Sequence, residues 1–200
     1  MAKTDLTKEI EFYKTIIKDL KVVIDVGCRD DNVFYELNND LEVHLFDPNE
    51  VGIGLEVEGL NKVHFNNYAL GSEQGIAEFH YRYGSILHRT EEPKFNGMHD
   101  SRFVRLDTLE NYCKEMAITN IDFLKIDTEG FDFEVIKGCG KYLDKIKYIQ
   151  FEEWLEGYAK GHTVSDVFRF FKGYNIYKIN TKPVNYVATK ETIDSLEKVQ

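Results

Sequence analysis

The chain carries only three cysteines, Cys28, Cys113 and Cys139, in 200 residues. An odd set at these spacings matches neither a disulfide framework nor a zinc arrangement, so they read as reduced thiols of a cytosol-like, cytoplasmic compartment. No apolar run reaches the roughly 18 residues that a membrane-spanning helix needs, and the N-terminus lacks the apolar stretch of a signal peptide. Positive charge is scarce as well: 25 Lys and Arg stand against 35 Asp and Glu, a formal charge of −10. A surface of that sign repels phosphate backbones and anionic headgroups, and no basic cluster offsets it. The expected partners therefore exclude nucleic acid and membrane. Phosphate-binding loops are missing too, since no G-x-G-x-x-G follows the first expected strand and no G-x-x-x-x-G-K-[ST] occurs anywhere. No repeat, low-complexity tract or linker divides the chain, so residues 1–200 are expected to form a single domain.

What remains is an ordinary core-forming composition, 42% hydrophobic and 30% charged, rich in aromatics with 14 Phe and 12 Tyr against one Trp. Helical spacing of Leu6, Ile10, Tyr13, Ile16, Ile17 and Leu20 predicts an N-terminal helix over about 4–20. Continuous apolar runs of strand length follow at 21–28, 42–46, 62–66, 121–126 and 146–151, the pattern of strands buried on both faces. Helices are expected between them at 30–38, 49–60, 108–116 and 131–137, with Thr108 as an N-cap. The alternating segment 78–83 reads as an edge strand, and 84–101 as a long loop. Thr163 caps a helix to Lys172, and 175–179 with 184–188 closes the chain as an antiparallel pair. This alternation predicts an α/β fold with a mostly parallel sheet and helices on both faces.

Ligands of such sheets bind at the carboxyl ends of the strands near the topological switch point. Here those ends are Asp25 to Asp30, Asp47 to Asn49, Asn67 to Ala69, Asp127 to Gly130 and Glu152 to Trp154. They are rich in carboxylates. An acidic turn around the single glycine, Gly27, repels a pyrophosphate but suits S-adenosylmethionine, which has no phosphate and carries a sulfonium. Asp47, at the end of the second strand, stands where an acidic residue accepts ribose hydroxyls; its plainer role is an Asp-Pro turn. Asp25 lies inside an apolar strand, where an unpaired carboxylate is costly, so its expected partners are turn amides or ligand groups. A purely structural anchor is the equal alternative.

The segments VVIDVGCRDDN (22–32), VHLFDPNE (43–50), NYALGSEQG (67–75), RLDTLENYC (105–113), IDFLKIDTEGFDFEVIKG (121–138) and YIQFEEW (148–154) resemble the FkbM family of methyltransferases. The resemblance covers residues 22–154 in the family's order. It implies a class I methyltransferase Rossmann-like fold and S-adenosylmethionine-dependent methylation of a hydroxyl on a sugar or glycan, with an oligosaccharide or small-molecule acceptor such as a deoxyhexose. Carried over, Asp25, Gly27 and Cys28 form the methionine-side turn, Asp47 takes the ribose, and Asn67, Tyr68 and Ala69 flank the adenine. Asp127, Glu129 and Glu152 face the reacting centre. The sequence departs from the usual pattern in placing Cys28, Arg29 and two aspartates after Gly27.

A sugar hydroxyl is a poor nucleophile until its proton leaves, so a positioned base is expected. The candidates are Asp127, Glu129, Glu152 and, in the long loop, His88 beside Arg89. Each has a plainer role: helix capping for Asp127 and Glu129, solvation for His88. Lys125 shares a strand face with Asp127 and is expected in a structural ion pair. His44 and His64 read as satisfied sheet residues. Trp154, Tyr81 and Tyr83 can stack on a sugar ring, but aromatic residues at such places are more often core. Glu152 and Glu153 with Asp127 can also hold a divalent cation, which would make a metal-dependent small-molecule O-methyltransferase; the resemblance carries no metal motif and a cation is not favoured. A non-catalytic domain of a larger glycan-processing protein is the reading from another class.

Overall fold

The apolar runs form their strands in the computed structural model, which describes residues 7–29, 33–49, 62–80, 86, 101–155, 157–180 and 182–200. The strands are β1 (Val22–Val26), β2 (Glu42–Phe46), β3 (Val63–Asn66), β4 (Ala69–Leu70), β5 (Gly75–His80), β6 (Ser101–Asp107), β7 (Ile121–Ile126), β8 (Ile146–Glu152), β9 (Asn175–Lys178), β10 (Asn185–Thr189) and β11 (Glu197–Lys198). The helices are α1 (Thr7–Ile16), α2 (Val33–Leu37), α3 (Leu109–Glu115), α4 (Asp132–Gly138) and α5 (Val164–Phe170). None is long and apolar enough to cross a membrane among the described residues.

Eight strands make one sheet in the order β11-β9-β10-β8-β7-β1-β2-β3. β3, β2, β1, β7 and β8 run parallel, whereas β10 and β9 add antiparallel, as expected of the closing pair. β1 is central. The chain leaves it for β2 and β3 on one side, then returns for β7 and β8 on the other. The switch point therefore lies beyond the carboxyl ends of β1 and β7, where such sheets bind ligands.

A second sheet, β4-β6-β5, stands apart. The sequence pattern does not announce it. β5 starts at Gly75 and ends at His80, earlier than the strand expected at 78–83, and β6 begins at Ser101, the end of the expected loop, and runs through residues the pattern left blank. In β6 Val104 and Leu106 point inward, but Phe103 faces out at 77% exposure, so the strand violates the polar-out alternation. The helix expected at 49–60 lies outside the described residues apart from Asn49, as do residues 30–32 and nearly all of 84–101.

Thr108 accepts a hydrogen bond from the Asn111 amide at 3.1 Å and starts α3, while Thr163 and Asp166 form a capping box at α5. The apolar core splits between the two faces of the large sheet. On one, Phe12 and Tyr13 of α1 meet Phe34 of α2 and Phe123 of β7. On the other, α3, α4 and α5 pack over Ile24, Leu124, Ile149 and Phe151.

Under α1 the apolar layer gives way to a buried polar knot centred on Glu9, 3% exposed. Its carboxylate accepts from Asn180 Nδ2 at 2.7 Å, Asn185 Nδ2 at 3.0 Å and Gln150 Nε2 at 3.1 Å, with the Tyr13 hydroxyl at 3.2 Å. Burial raises its pKa, opposed by the nearby Lys125 ammonium. One carboxylate thus fastens α1 to β8, to β10 and to the turn before β10. Glu9→Ala should lower unfolding free energy by more than about 2 kcal/mol, because each stranded buried amide costs about 1–3 kcal/mol. Glu9→Gln, which keeps one acceptor oxygen, should lose less. Urea denaturation measures both; equal stability of Glu9→Ala and the unaltered chain would remove this knot from the fold's support.

Candidate active site

The turn after β1 is built around Gly27, at φ +83°, a left-handed conformation that glycine adopts freely. A Cβ here would lie 1.9 Å from the carbonyl oxygen of Asp127. The Gly27 amide donates to Phe46 O at 2.8 Å, and the Asp127 amide donates to Val26 O at 2.9 Å. Backbone alone therefore draws together the ends of β1, β2 and β7.

Asp47 bridges the first two of those ends. It is 5% exposed; Oδ2 accepts from the Arg29 amide at 2.8 Å and Oδ1 from the Asn49 amide at 2.7 Å. Burial raises its pKa, and these amides oppose the shift. Asn67 holds the same segment from outside, donating through Nδ2 to Asp47 O at 3.1 Å and Asn49 O at 2.8 Å. Asn67 thus fixes the backbone that carries Asp47, and its side chain is spent on that.

These ends enclose a cleft of about 360 Å³ including its mouth. Val26, Gly27, Phe46, Asp47 and Pro48 form one wall; Tyr68, Ala69, Leu70 and Phe79 form another, closed by Ile86, Thr128 and Phe131. The lining is mostly apolar and aromatic, as small-molecule sites are. Tyr68 meets Phe46 edge-on at 5.4 Å, and the Arg105 guanidinium sits 4.3 Å from its ring centre. Arg105 is paired with Asp107, whose buried carboxylate also accepts from the Thr108 amide at 2.8 Å and Gln74 Nε2 at 3.0 Å. The small sheet, of which the sequence pattern shows only part of one strand, therefore braces the tyrosine wall.

Beyond the cleft, the ends of β7 and β8 bring carboxylates together. Glu152 has its pKa pushed up to about 9, first by burial and then by Asp127, Asp132 and Glu129, with a hydrogen bond to Asp127. Asp132, the first residue of α4 and 1% exposed, accepts from Thr128 Oγ1 at 2.7 Å and from the Glu152 amide at 3.1 Å. Burial raises it to about 7 against the Thr128 bond, with Asp127 adding to the rise. Asp132 is the residue sequence reasoning missed: an aspartate in the first turn of a helix reads as dipole compensation, yet its side chain ties the end of β7 to the end of β8. Glu129 holds a left-handed backbone, φ +53°, uncommon for a residue with a side chain.

Asp25 takes a partner from within the sheet. Its carboxylate, 1% exposed, pairs with Lys125 Nζ at 3.1 and 3.2 Å across the β1–β7 ladder, where the two residues are register partners. It is an ion pair inside the sheet, in keeping with the structural-anchor alternative, and Asp25 is not among the residues that line the cleft. Cys28 is likewise 1% exposed and packs in the apolar layer beneath α1. Gly27, Asp47, Tyr68 and Ala69 thus converge on one cleft, and Asp127, Glu129 and Glu152 on one carboxylate group. Asp25, Cys28 and Asn67 support that cleft from behind. His88, Tyr81 and Tyr83 lie outside the described residues, and Trp154 packs against the α3–α5 core.

Residues 25–177 match the Methyltransferase FkbM domain. Over 195 residues the chain is 23% identical to the 2-O-methyltransferase NoeI of Sinorhizobium fredii (strain NBRC 101917 / NGR234), covering 83% of this chain and 80% of that one. In fold it is similar to the methyltransferase FkbM of Methylobacillus flagellatus KT, with a TM-score of 0.57 and 10% identity over 85% of this chain; it spans only 44% of that protein. The N-terminal domain of human METTL16 in complex with SAH gives a TM-score of 0.53 at 10% identity, covering 92% of this chain and 69% of that one. With the family's domain matched over most of its length, the chain belongs to the FkbM methyltransferase family.

Proposed function

We propose that the protein is an S-adenosylmethionine-dependent O-methyltransferase whose acceptor is a hydroxyl of a sugar or glycan. The observation that carries this reading is the junction of an apolar, aromatic cleft bearing one buried aspartate with a group of interacting carboxylates, on either side of Gly27. A relative named as a 2-O-methyltransferase supports a hydroxyl acceptor.

The cleft's residues fit the cofactor. Asp47 keeps lone pairs beyond those used by two amides and would accept the ribose hydroxyls. The Tyr68 ring, with Ala69 and Phe79, offers a flat apolar wall for the adenine, and the bare backbone at Gly27 lets the methionine portion approach. Asp25 and Cys28 act from beneath that turn. When bound, S-adenosylmethionine supplies an electrophilic methyl group on a sulfonium. The chain's share is alignment and proton removal: the acceptor hydroxyl is held beside Asp127, whose carboxylate takes its proton while Glu152, protonated at neutral pH, donates a hydrogen bond to it. Glu129 completes the negative field that favours a cation at this spot.

Three outcomes check the reading. Radiolabelled methyl transfer, screened over deoxyhexoses and their oligosaccharides, should give an O-methylated product located by NMR; transfer only to amines or proteins would refute the acceptor class. Asp47→Ala should weaken S-adenosylmethionine binding about 10- to 100-fold by calorimetry, in line with hydrogen bonds to a charged group worth about 1.5–3 kcal/mol; unchanged affinity in a folded variant would remove the ribose role. Glu152 has its own pH signature. Its folded pKa of about 9 exceeds the ordinary 4.5, so the folded state holds a proton the unfolded chain releases, and stability falls as pH rises between those values. Glu152→Gln should flatten that fall in denaturant midpoints from pH 5 to 9 and reduce methyl transfer; an unaltered slope would contradict the assignment.

A further inference from the structure

At the end of β2 away from the cleft, two histidines and a carboxylate meet on one face of the sheet. His44 and His64 are register partners on the neighbouring strands β2 and β3, and Glu42 precedes His44 by two residues, hence on the same face. Glu42 Oε1 lies 3.2 Å from His44 Nε2 and 4.0 Å from His64 Nε2, and one ligand atom from each residue falls within 4.8 Å of the others. We propose that Glu42, His44 and His64 form a binding site for a divalent transition-metal ion of the zinc class, separate from the cofactor cleft.

The donor set argues for that class of ion. Two imidazole nitrogens and one carboxylate oxygen suit zinc and its borderline neighbours, whereas calcium and magnesium call for oxygen throughout. Zinc holds such ligands at about 2.0–2.2 Å, which puts donor atoms of a tetrahedral site about 3.3 Å apart. The His44–Glu42 pair already has that spacing, and His64 stands less than 1 Å further from Glu42 than such a site requires.

The surroundings divide the site into a fixed half and an adjustable half. The His44 side chain is wholly buried, and its Nδ1 is hydrogen-bonded at 2.7 Å with the Tyr112 hydroxyl, whose oxygen accepts from Asn66 Nδ2 at 3.3 Å. A hydrogen-bonded partner on the second ring nitrogen is what orients metal-bound histidines. The side chains of His64 and Glu42 are 36% and 46% exposed, which leaves an entry path and room for water as a further ligand. The two rings now stack 4.7 Å apart at 14°, so a modest swing of the outer ring, His64, turns its nitrogen toward an ion shared with His44.

Such an ion would clamp the edge strand β3 onto β2. It would act behind Tyr112, whose ring packs on Phe46 at 4.7 Å, and Phe46 is a wall of the cofactor cleft.

Titration of the chelator-treated full chain with Co²⁺ and then Zn²⁺ tests the site. One equivalent of Co²⁺ should give visible absorption bands of a low-symmetry nitrogen–oxygen site, without thiolate charge-transfer. Zn²⁺ should displace it and raise the melting temperature. His64→Gln and Glu42→Gln, both at accessible side chains, should each weaken Zn²⁺ binding at least about 10-fold while leaving the circular dichroism unchanged. His64→Cys should restore binding and add a thiolate-to-cobalt band. Absence of stoichiometric binding at micromolar metal, or binding that persists unchanged in both glutamine variants, would overturn the proposal.

Discussion

Between the turn after β1 and the end of β7 there is no room for one methyl group, and the active-site geometry follows from that contact. Because Gly27 brings its backbone against the Asp127 carbonyl, the ends of β1 and β7 lie nearer each other than side chains would permit. The cleft on one side and the carboxylates on the other become neighbours as a result. The same turn donates its amide to Phe46 O, which aligns β2 and positions Asp47. The positions of the cleft and of the carboxylate group are therefore set by backbone, which leaves side chains free for the proposed chemistry.

Electrostatics is arranged around that backbone in layers. In the interior each buried carboxylate is compensated: Asp25 by its ion pair with Lys125, and Glu9 by hydrogen bonds from the amides that converge on it. Nearer the strand ends, compensation gives way to crowding of like charges, where Glu152 and Asp132 are pushed toward their protonated forms. A buried carboxylate that keeps its proton at neutral pH and hydrogen-bonds a neighbouring carboxylate is the arrangement general acid–base chemistry uses. The contrast explains why Asp25, within β1, and Asp127, just past β7, have different fates. Asp25 has a lysine opposite it in the ladder; Asp127 lies past the last β7 residue, among other acids.

Much of the large sheet was legible because its strands are apolar on both faces, a pattern independent of distant partners. Val22–Val26, Glu42–Phe46 and Ile121–Ile126 are readable on that ground alone. The small sheet was not, since Phe103 points outward and Arg105 alternates with inward residues for a reason visible only in space, its stack on Tyr68. Strand-end logic located Asp47 and Tyr68, which line the cleft. It could not separate them from Asn67 and Cys28, whose neighbours in sequence line it while their own side chains turn elsewhere. Asp132 shows the opposite gap: its value lies in a bond to the Glu152 amide, twenty residues away, and no local pattern encodes that.

The most direct test of the account is a crystal structure with S-adenosylhomocysteine bound. It should place the ribose hydroxyls on the Asp47 carboxylate, the adenine against Tyr68, and the sulfur at the cleft edge of the Gly27 turn. A nucleoside bound elsewhere, or a ribose with no contact to Asp47, would contradict it.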